Sequence, residues 1–139
     1  MNLKKGKSVD YSIIIPVYQN EGSLNDVFHK LKDDVIDKNP QYSCEIIFID
    51  DGSTDNSFQV LNNLYENYPE LIVIVKLTRN FGTYPAIIAG YEKARGDCLI
   101  NISADLQDPP ALINEMLNSY FTENFNIVIC HRDSRDESA

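Results

Sequence analysis

The chain has 139 residues, of which 43% are hydrophobic, which is enough for one domain with a core and excludes a disordered tail. Its formal net charge is −9, from 12 basic and 21 acidic residues, and this excess of acid argues against nucleic acid as a partner because its phosphates would be repelled. A single phosphorylated ligand stays compatible with the charge, since a metal ion and local basic groups can hold it.

Five short apolar runs alternate with four segments of helical spacing along the chain. The runs are rich in Ile and Val and none strictly alternates with polar residues, which is typical of strands covered on both faces. The pattern predicts, in chain order, strand 11–17, helix 23–36, strand 44–49, helix 55–68, strand 71–77, helix 84–94, strand 98–102, helix 110–121 and strand 125–130. This order predicts an α/β fold with a mostly parallel sheet and right-handed crossovers. We expect one domain over residues 1–139, with a frayed end at 133–139.

Neither a leader sequence nor a membrane span is evident in the sequence. No apolar region of secretory type follows the basic residues 1–7, and no apolar stretch approaches the roughly 20 residues of a spanning helix. Cys44, Cys98 and Cys130 form no Cys-x-x-Cys pair and lie in or beside apolar runs, which is typical of reduced core cysteines. We therefore expect a cytoplasmic protein, which would meet the cytoplasmic face of a membrane only through its surface or through chain beyond this sequence.

A polar cluster follows each of the five predicted strands. In a parallel sheet all of these clusters lie at the carboxyl edge, where open α/β sheets bind their ligands. The clusters begin at Pro16, Asp50, Thr78, Ser103 and His131. Their matching positions predict one binding site at that edge.

Two successive carboxylates, Asp50 and Asp51, end the second predicted strand. A turn and a helix cap account for residues 52–55, because Gly52 can adopt a special backbone angle and Ser or Thr can cap the next helix. They do not account for the acidic pair, whose members repel each other if buried together, so one is expected to meet a donor or a ligand. A carboxylate here could accept the imide N–H of uracil, or the N1–H and amino group of guanine.

Three other side chains near these clusters each allow two interpretations. Tyr18 either covers the sheet edge or stacks on a base. Glu21 is either a first-turn carboxylate favoured by the helix dipole or a ligand contact. Arg79 either pairs with Asp50 or Asp51, or neutralises a phosphate through its planar guanidinium.

The loop after the fourth predicted strand has the composition of a metal site. Asp105, Gln107 and Asp108 place two carboxylates and an amide within four residues. Such a loop suits a hard divalent cation that keeps some of its waters and holds a diphosphate. Position 103 is Ser, where a metal-binding Asp-x-Asp would carry its first carboxylate.

In combination, these motifs resemble the opening of a family 2 glycosyltransferase of the GT-A fold, and the resemblance covers nearly the whole chain. The segments that carry it are 12–18, 20–21 and 49–55. The segments that are similar to the dolichyl-phosphate mannose synthase and polyprenyl-phosphate glycosyltransferase branch are 77–82, 89–90, 94–97 and 104–110.

The resemblance implies inverting transfer of a sugar from a UDP- or GDP-sugar to a polyprenyl phosphate or a cell-surface glycan, helped by Mg²⁺ or Mn²⁺, in cell-wall or glycan biosynthesis. It places Asp105 on the metal with Gln107 able to join it, and Arg132 and Arg135 near phosphates. The nucleotide-binding set that it implies is Pro16, Tyr18, Glu21, Asp50, Asp51, Arg79 and Ala104.

In this family the acceptor-binding half and the general-base carboxylate lie beyond the position of Ala139, as do the membrane-associating helices of this branch. We therefore expect this chain to supply the donor-binding half only, with no catalytic residue to assign. Membrane association is then expected from the C-terminal segment, and uncovered apolar surface could drive self-association.

Three other functions stay open at this point. A non-catalytic nucleotide-sugar-binding module or short form is favoured by Ser103 and by the expected absence of the acceptor half. A phosphoacceptor signalling domain also carries an acidic pair at a sheet edge, but that pair normally follows the first strand. A nucleotidyltransferase usually opens with a Gly-rich basic loop that this sequence lacks; the Rossmann, P-loop and Gly-x-Ser-x-Gly motifs are absent as well.

Overall fold

The computed structural model describes residues 8–128, which form an α/β fold as predicted. The sequence-based element bounds agree to within two residues for four strands and three helices. The elements are β1 Val9–Val17, α1 Leu24–Leu31 with a π-helical turn Lys32–Ile36, β2 Cys44–Asp50, α2 Ser57–Asn67, β3 Ile72–Lys76, α3 Thr83–Lys93, β4 Gly96–Asn101 and α4 Leu112–Phe121.

The four described strands form one parallel sheet in the order β3-β2-β1-β4. The chain moves outward from β1 through β2 to β3 and then crosses to β4 on the other side of β1. Loops that leave β1 and β4 therefore diverge at their carboxyl ends, and open α/β sheets bind ligands at such a switch point.

Helices cover both faces of the sheet, which confirms the prediction that its strands are covered on both faces. Alternate residues of β1 point to opposite faces, so Ile13 and Ile15 join a large core with α1, α2 and α4, whereas Ile14 joins a smaller core with α3. All three of these side chains are fully buried. The apolar runs in the sequence are continuous because the side chains on both faces of these strands are covered by helices.

The predicted helix 23–36 changes its winding in its last turn. The Asp37 N–H donates to the Lys32 carbonyl over 2.9 Å, which is the wider spacing of a π-turn. An ion pair between the same two side chains spans 3.0 Å and closes this turn. The wider turn keeps Val35 in the large core, where it is fully buried.

The fifth predicted strand is wrong over its described part. Residues 125–128 are irregular, and the side chains of Phe125 and Ile127 are 54% and 79% exposed. Asn124, with φ of 61°, turns the chain after α4, and the Phe125 N–H then donates to the Ser119 carbonyl rather than to a strand. Residues 129–130, and the end 133–139, lie outside the described residues.

The expectation of a cytoplasmic protein rests on the three cysteines and on the lack of a membrane span in the sequence. Cys44 and Cys98 are free thiols, burial raises the pKa of Cys44 to about 12, and burial also raises the pKa of Cys98. Cys130 lies outside the described residues. Within 8–128, none of the helices combines the length and hydropathy that a bilayer crossing requires.

A buried carboxylate joins three elements at the amino edge of the sheet. Glu45 is fully buried and accepts the Ser12 hydroxyl and the Arg95 N–H, both over 2.7 Å. The Arg95 guanidinium contacts the same carboxylate over 3.0 Å, and the Gly96 N–H donates to the Ser12 hydroxyl. The network fixes the starts of β1, β2 and β4 relative to one another.

Replacing Glu45 with Ala should strongly destabilise the fold. The change removes the acceptor that Glu45 provides to the Ser12 hydroxyl, the Arg95 N–H and the guanidinium, so we expect the free energy of unfolding to fall by roughly 3 kcal/mol. Urea unfolding measures this loss. The control is Glu66→Ala on the exposed face of α2, which should change stability by less than about 0.5 kcal/mol. Equal unfolding midpoints for the two variants would contradict the role given to Glu45.

Candidate functional site

The loops at the carboxyl edge of the sheet enclose an open cleft of about 420 Å³. The cleft lies at the switch point between β1 and β4, as the topology requires. Its lining comes from the end of β1 and the following loop, the end of β2, the start of α3, and the end of β4 with its loop. These residues are Pro16, Val17, Tyr18, Asn20, Asp51, Thr83, Ile87, Asn101, Ile102, Ser103, Ala104, Asp105 and Asp108.

Asp51 ties the loop after β3 to the end of β2. It lines the cleft and is only 3% exposed. The Phe81 N–H donates to Oδ1 over 2.8 Å, and the Gly82 N–H and the Asn80 side-chain amide donate to Oδ2 over 3.0 and 3.2 Å. Since α3 begins at Thr83, the carboxylate also lies at the positive end of a helix dipole.

Asp50 lies behind the cleft rather than in its lining. Because neighbouring strand residues point to opposite faces, Asp50 shares the face of Phe48 and the large core. It is fully buried, and its Oδ1 accepts the Ser53 N–H over 3.1 Å. Its Oδ2 has no hydrogen-bond partner among the described residues. The acidic pair thus divides into one residue at the cleft and one in the interior.

Tyr18 and Glu21, predicted together, occupy different surroundings. Tyr18 lines the cleft with 48% of its surface exposed. Glu21 does not line the cleft, and its carboxylate accepts the Asn56 N–H over 3.1 Å. Asp55 reciprocates by accepting the Glu21 N–H over 3.2 Å. This exchange clamps the loop after β1 to the start of α2.

Asp55 also accepts hydrogen bonds at the start of α2, and these affect its titration. Desolvation by itself works to raise the pKa of Asp55, but hydrogen bonds from Ser57 and from the Glu21 N–H outweigh it and hold the pKa below its usual value. The clamp therefore favours the ionised form.

Gln19 belongs to the same clamp, and sequence reasoning missed it. Its backbone is left-handed, with φ of 55°, which is uncommon outside glycine. Its side-chain oxygen accepts the N–H groups of Thr54 and Asp55 over 2.7 and 3.1 Å, and its nitrogen donates to the Thr54 hydroxyl over 2.8 Å. The only sequence signal was its place in the polar cluster after the first strand.

The loop after β4 is held by one hydrogen bond from the loop after β1 and by hydrogen bonds within itself. The Ser23 hydroxyl donates to the Ala104 carbonyl over 2.6 Å, which joins this loop to the one after β1. Asp105 accepts the Ser103 hydroxyl and, over 3.2 Å, the Gln107 N–H, both on Oδ1. Ser103, Ala104 and Asp105 line the cleft, whereas Gln107 is exposed and lies outside its lining.

The side-chain oxygen atoms on one wall of the cleft could be shared with a phosphate group in holding a hard divalent cation. The described residues contain no group of three or more His, Cys, Asp or Glu side chains that could hold a metal ion. Asp105, Asp108 and the Ser103 hydroxyl nevertheless line one wall of the cleft. Mg²⁺ sites often use one or two carboxylates together with substrate phosphates and water, so this set fits such an ion.

Arg79 lies on the loop that Asp51 holds, but outside the cleft lining. Its guanidinium stacks on the Phe81 ring 4.0 Å from the centroid, and its Nη1 donates to the Asn80 carbonyl over 3.4 Å. It is exposed, and among the described residues it forms no ion pair with Asp50 or Asp51. Arg132 and Arg135 lie outside the described residues.

Comparison with protein families and curated proteins gives one consistent result. Residues 12–139 match the family model described as "Glycosyl transferase family 2". The chain is 38% identical to an undecaprenyl-phosphate 4-deoxy-4-formamido-L-arabinose transferase of Pseudomonas fluorescens strain SBW25, covering 92% of this chain and 37% of that protein. It is 39% identical to the uncharacterized glycosyltransferase sll0501 of Synechocystis, covering 92% and 39%. The chain thus spans less than two fifths of these relatives' length.

Solved structures show the same fold at lower identity. S. aureus TarS 1–349 superposes with a TM-score of 0.64 at 19% identity, covering 80% of this chain and 32% of that one. The mannosyltransferase PcManGT of Pyrobaculum calidifontis, in complex with GDP-Man and Mn²⁺, gives 0.60 at 22% identity, covering 71% and 28%. Both are GT-A proteins, so the predicted GT-A fold is confirmed.

The close approach of Gly52 to the loop after β3 should make Gly52→Ala destabilising. With φ of 72°, an added Cβ would lie 2.4 Å from the Arg79 carbonyl carbon and 2.4 Å from the Asn80 nitrogen. We expect a loss of about 2 kcal/mol or more by urea unfolding. Gly22→Ala is the matched control, because nothing lies within 4 Å of its Cβ position. A Gly52 variant as stable as the Gly22 variant would refute the contact.

Proposed function

Because the chain belongs to glycosyltransferase family 2, we propose that it forms the donor-binding half of an inverting enzyme that transfers a sugar from a UDP- or GDP-sugar. The observation that carries this proposal is the cleft at the carboxyl edge of the sheet, where Tyr18, Asp51 and Asp105 line one space. The three come from loops far apart in the sequence, and each supplies a different contact to a nucleotide sugar.

The base occupies the part of the cleft near Tyr18 and Asp51. The half-exposed Tyr18 ring offers a stacking surface, and the Asp51 carboxylate offers an acceptor for a base N–H. Pro16 and Ala104 form the adjoining wall. Glu21 and Asp50 act indirectly, since their carboxylates hold the loops around the cleft.

Positive charge for the diphosphate comes from Arg79 and from a divalent cation, Mg²⁺ or Mn²⁺. Stacking on Phe81 restrains the Arg79 guanidinium at the end of the loop that Asp51 fixes. Asp105 would hold the cation with Ser103 and Asp108, and Gln107 could join them by turning its exposed side chain. When bound, the cation stabilises the diphosphate leaving group. Arg132 and Arg135 remain sequence-based candidates for phosphate binding.

In the proposed transfer, the acceptor oxygen attacks the anomeric carbon from the side opposite the diphosphate. One C–O bond forms while the bond to the diphosphate breaks, and the leaving group departs with the bonding electrons. The name of the Pseudomonas fluorescens relative supports a polyprenyl phosphate as acceptor. A phosphate oxygen is already anionic, whereas a glycan hydroxyl would need a base, which we expect in the acceptor half. Such an acceptor would place the enzyme at the cytoplasmic face of a membrane.

A second candidate is a nucleotide-sugar-binding module without transferase activity. It is favoured by Ser103, since a hydroxyl is a weaker metal ligand than the carboxylate expected at that position. The two candidates differ in turnover: both bind the donor, and only the enzyme consumes it when the acceptor is supplied.

Calorimetric titration with UDP, GDP and their sugars, with and without Mn²⁺, should show binding tighter than millimolar. Tyr18→Ala should weaken it roughly tenfold or more, because stacking of a base on an aromatic ring contributes about 1–3 kcal/mol. Tyr65→Ala is the matched control: Tyr65 is 42% exposed on α2, against 48% for Tyr18, but lies outside the cleft. A folded chain that binds none of these nucleotides would refute the donor site.

Ser103→Asp should strengthen Mn²⁺ binding on the order of tenfold, because it adds a carboxylate beside Asp105. Ser103→Asn is the control, since the asparagine side chain has the same shape as that of aspartate but carries no charge. Electron paramagnetic resonance of free Mn²⁺ measures the affinity independently of turnover. Equal affinities for the two variants would contradict the placement of the metal at this wall.

A further inference from the structure

The outer edge of β3 is an apolar strand edge with no neighbouring strand among the described residues. β3 is the last strand on its side of the sheet order β3-β2-β1-β4. Residues 71–77 consist of six aliphatic residues and Lys76. Such an edge is a template for another strand. We propose that it binds a second copy of this chain, with the two β3 strands antiparallel and centred on Ile74, so that the two sheets become continuous.

The hydrogen bonds to β2 show which backbone groups of β3 point outward. The Leu71 carbonyl accepts a β2 N–H over 2.8 Å, and the Leu77 N–H donates to a β2 carbonyl over 2.9 Å. In a parallel sheet, alternate residues of a strand bond to opposite neighbours, so the odd-numbered residues of β3 face β2. The backbone groups of Ile72, Ile74 and Lys76 therefore point away from the sheet.

A strand centred on Ile74 would use these outward groups well. The Ile72 N–H is already occupied, because it donates to the Tyr68 carbonyl over 3.1 Å. An antiparallel copy would place Ile74 opposite its own equivalent and Lys76 opposite Ile72 of the second copy. Four hydrogen bonds result: two between the Ile74 residues, and one from each Lys76 N–H to the Ile72 carbonyl of the other copy.

The charges favour this register over its neighbour. Lys76 is exposed, and its Nζ lies 4.0 Å from the centroid of the Phe58 ring on the α2 side of the strand. With the pair centred on Ile74, each Lys76 lies diagonal to Glu70 of the other copy, an exposed residue just before β3. Moving the centre by one residue towards Lys76 would instead place the two Lys76 side chains diagonal to each other. The edge is thus self-complementary in one register.

The helix next to β3 adds apolar surface to this edge. An open groove of about 570 Å³ lies between α2 and β3, with Phe58, Asn62, Tyr65 and Pro69 on its helix side. Tyr65 is 42% exposed. The two-fold axis of an antiparallel strand pair is perpendicular to the sheet, so both α2 helices would lie on one face and their grooves would meet. Pairing would then cover the Tyr65 rings as well as the strand edge.

This inference is independent of the proposed donor site. The cleft lies at the switch point between β1 and β4, and none of its lining residues comes from β3. Pairing through β3 therefore leaves the cleft open in both copies. A chain that dimerises without binding a nucleotide, or binds a nucleotide without dimerising, would separate the two proposals.

Sedimentation velocity of the full 139-residue chain over a concentration series should show a monomer–dimer equilibrium. Lys76→Glu turns both Lys–Glu contacts into like-charge contacts, so it should raise the dimer dissociation constant about 10- to 100-fold. Glu70→Lys should have a similar effect for the same reason. The control is Lys38→Glu, which makes the same change of charge at an exposed turn and should leave the dissociation constant unchanged.

Mixing the two interface variants tests the register directly. In a pair of one Lys76→Glu chain and one Glu70→Lys chain, both contacts again join opposite charges. The mixture should therefore dimerise about as tightly as the unmodified chain, which would also show that both variants are folded. Amide hydrogen exchange gives a second measurement: Ile74 and Lys76 should exchange more slowly in the dimer, because their N–H groups become hydrogen-bonded.

Four outcomes would overturn the inference. They are a chain that stays monomeric up to about 1 mM, interface variants that dimerise like the unmodified chain, a mixture that dimerises no more tightly than either variant alone, and a dimer in which Ile74 and Lys76 gain no protection from exchange.

Discussion

The cleft depends on one nearly buried carboxylate. Asp51 ends β2, yet its oxygens are occupied by the loop that follows β3, so two connections far apart in the sequence are held as one wall. The bonds are charge-assisted and lie at the start of α3, where the helix dipole strengthens them. The backbone of Gly52 packs closely against the same loop, which further restricts the movement of that loop. A single residue therefore both fixes two loops and lines the cleft.

The opposite wall is organised by weaker and more exposed contacts. Asp105 is exposed and receives its hydrogen bonds from Ser103 and Gln107, two neighbours in its own loop. The chain carries a net charge of −9, and the cleft adds Asp51, Asp105 and Asp108 at close quarters. A diphosphate would be repelled by this field unless a cation entered with it. Under the proposed function, the electrostatics would therefore make nucleotide and metal binding interdependent.

The sequence predicted the parts of the fold that local pattern determines. Continuous apolar runs located β1 to β4, and the rule that parallel strands end at one edge brought Tyr18, Asp51 and Asp105 together. It could not predict which member of the acidic pair faces the cleft, because strand alternation gives opposite faces without saying which is which. The contacts of Gln19 and Glu21 join residues far apart in the sequence, and the place of both residues in a polar cluster did not indicate their partners. Residues 125–128 do not form the predicted strand, because apolar composition alone does not determine whether a segment pairs with the open edge of β4.

Two of the three buried carboxylates in the described part of the chain stand at opposite ends of the sheet, with Glu45 at the amino edge and Asp51 at the carboxyl edge. Glu45 stabilises the fold at the amino edge and does not line the cleft. Asp51 at the carboxyl edge both holds two loops together and lines the cleft. Variation at the lip of the cleft, for instance at Tyr18, leaves the contacts by which Glu45 holds the sheet untouched. Loops at this edge could be exchanged in engineered variants, provided that Asp51 after β2 is kept.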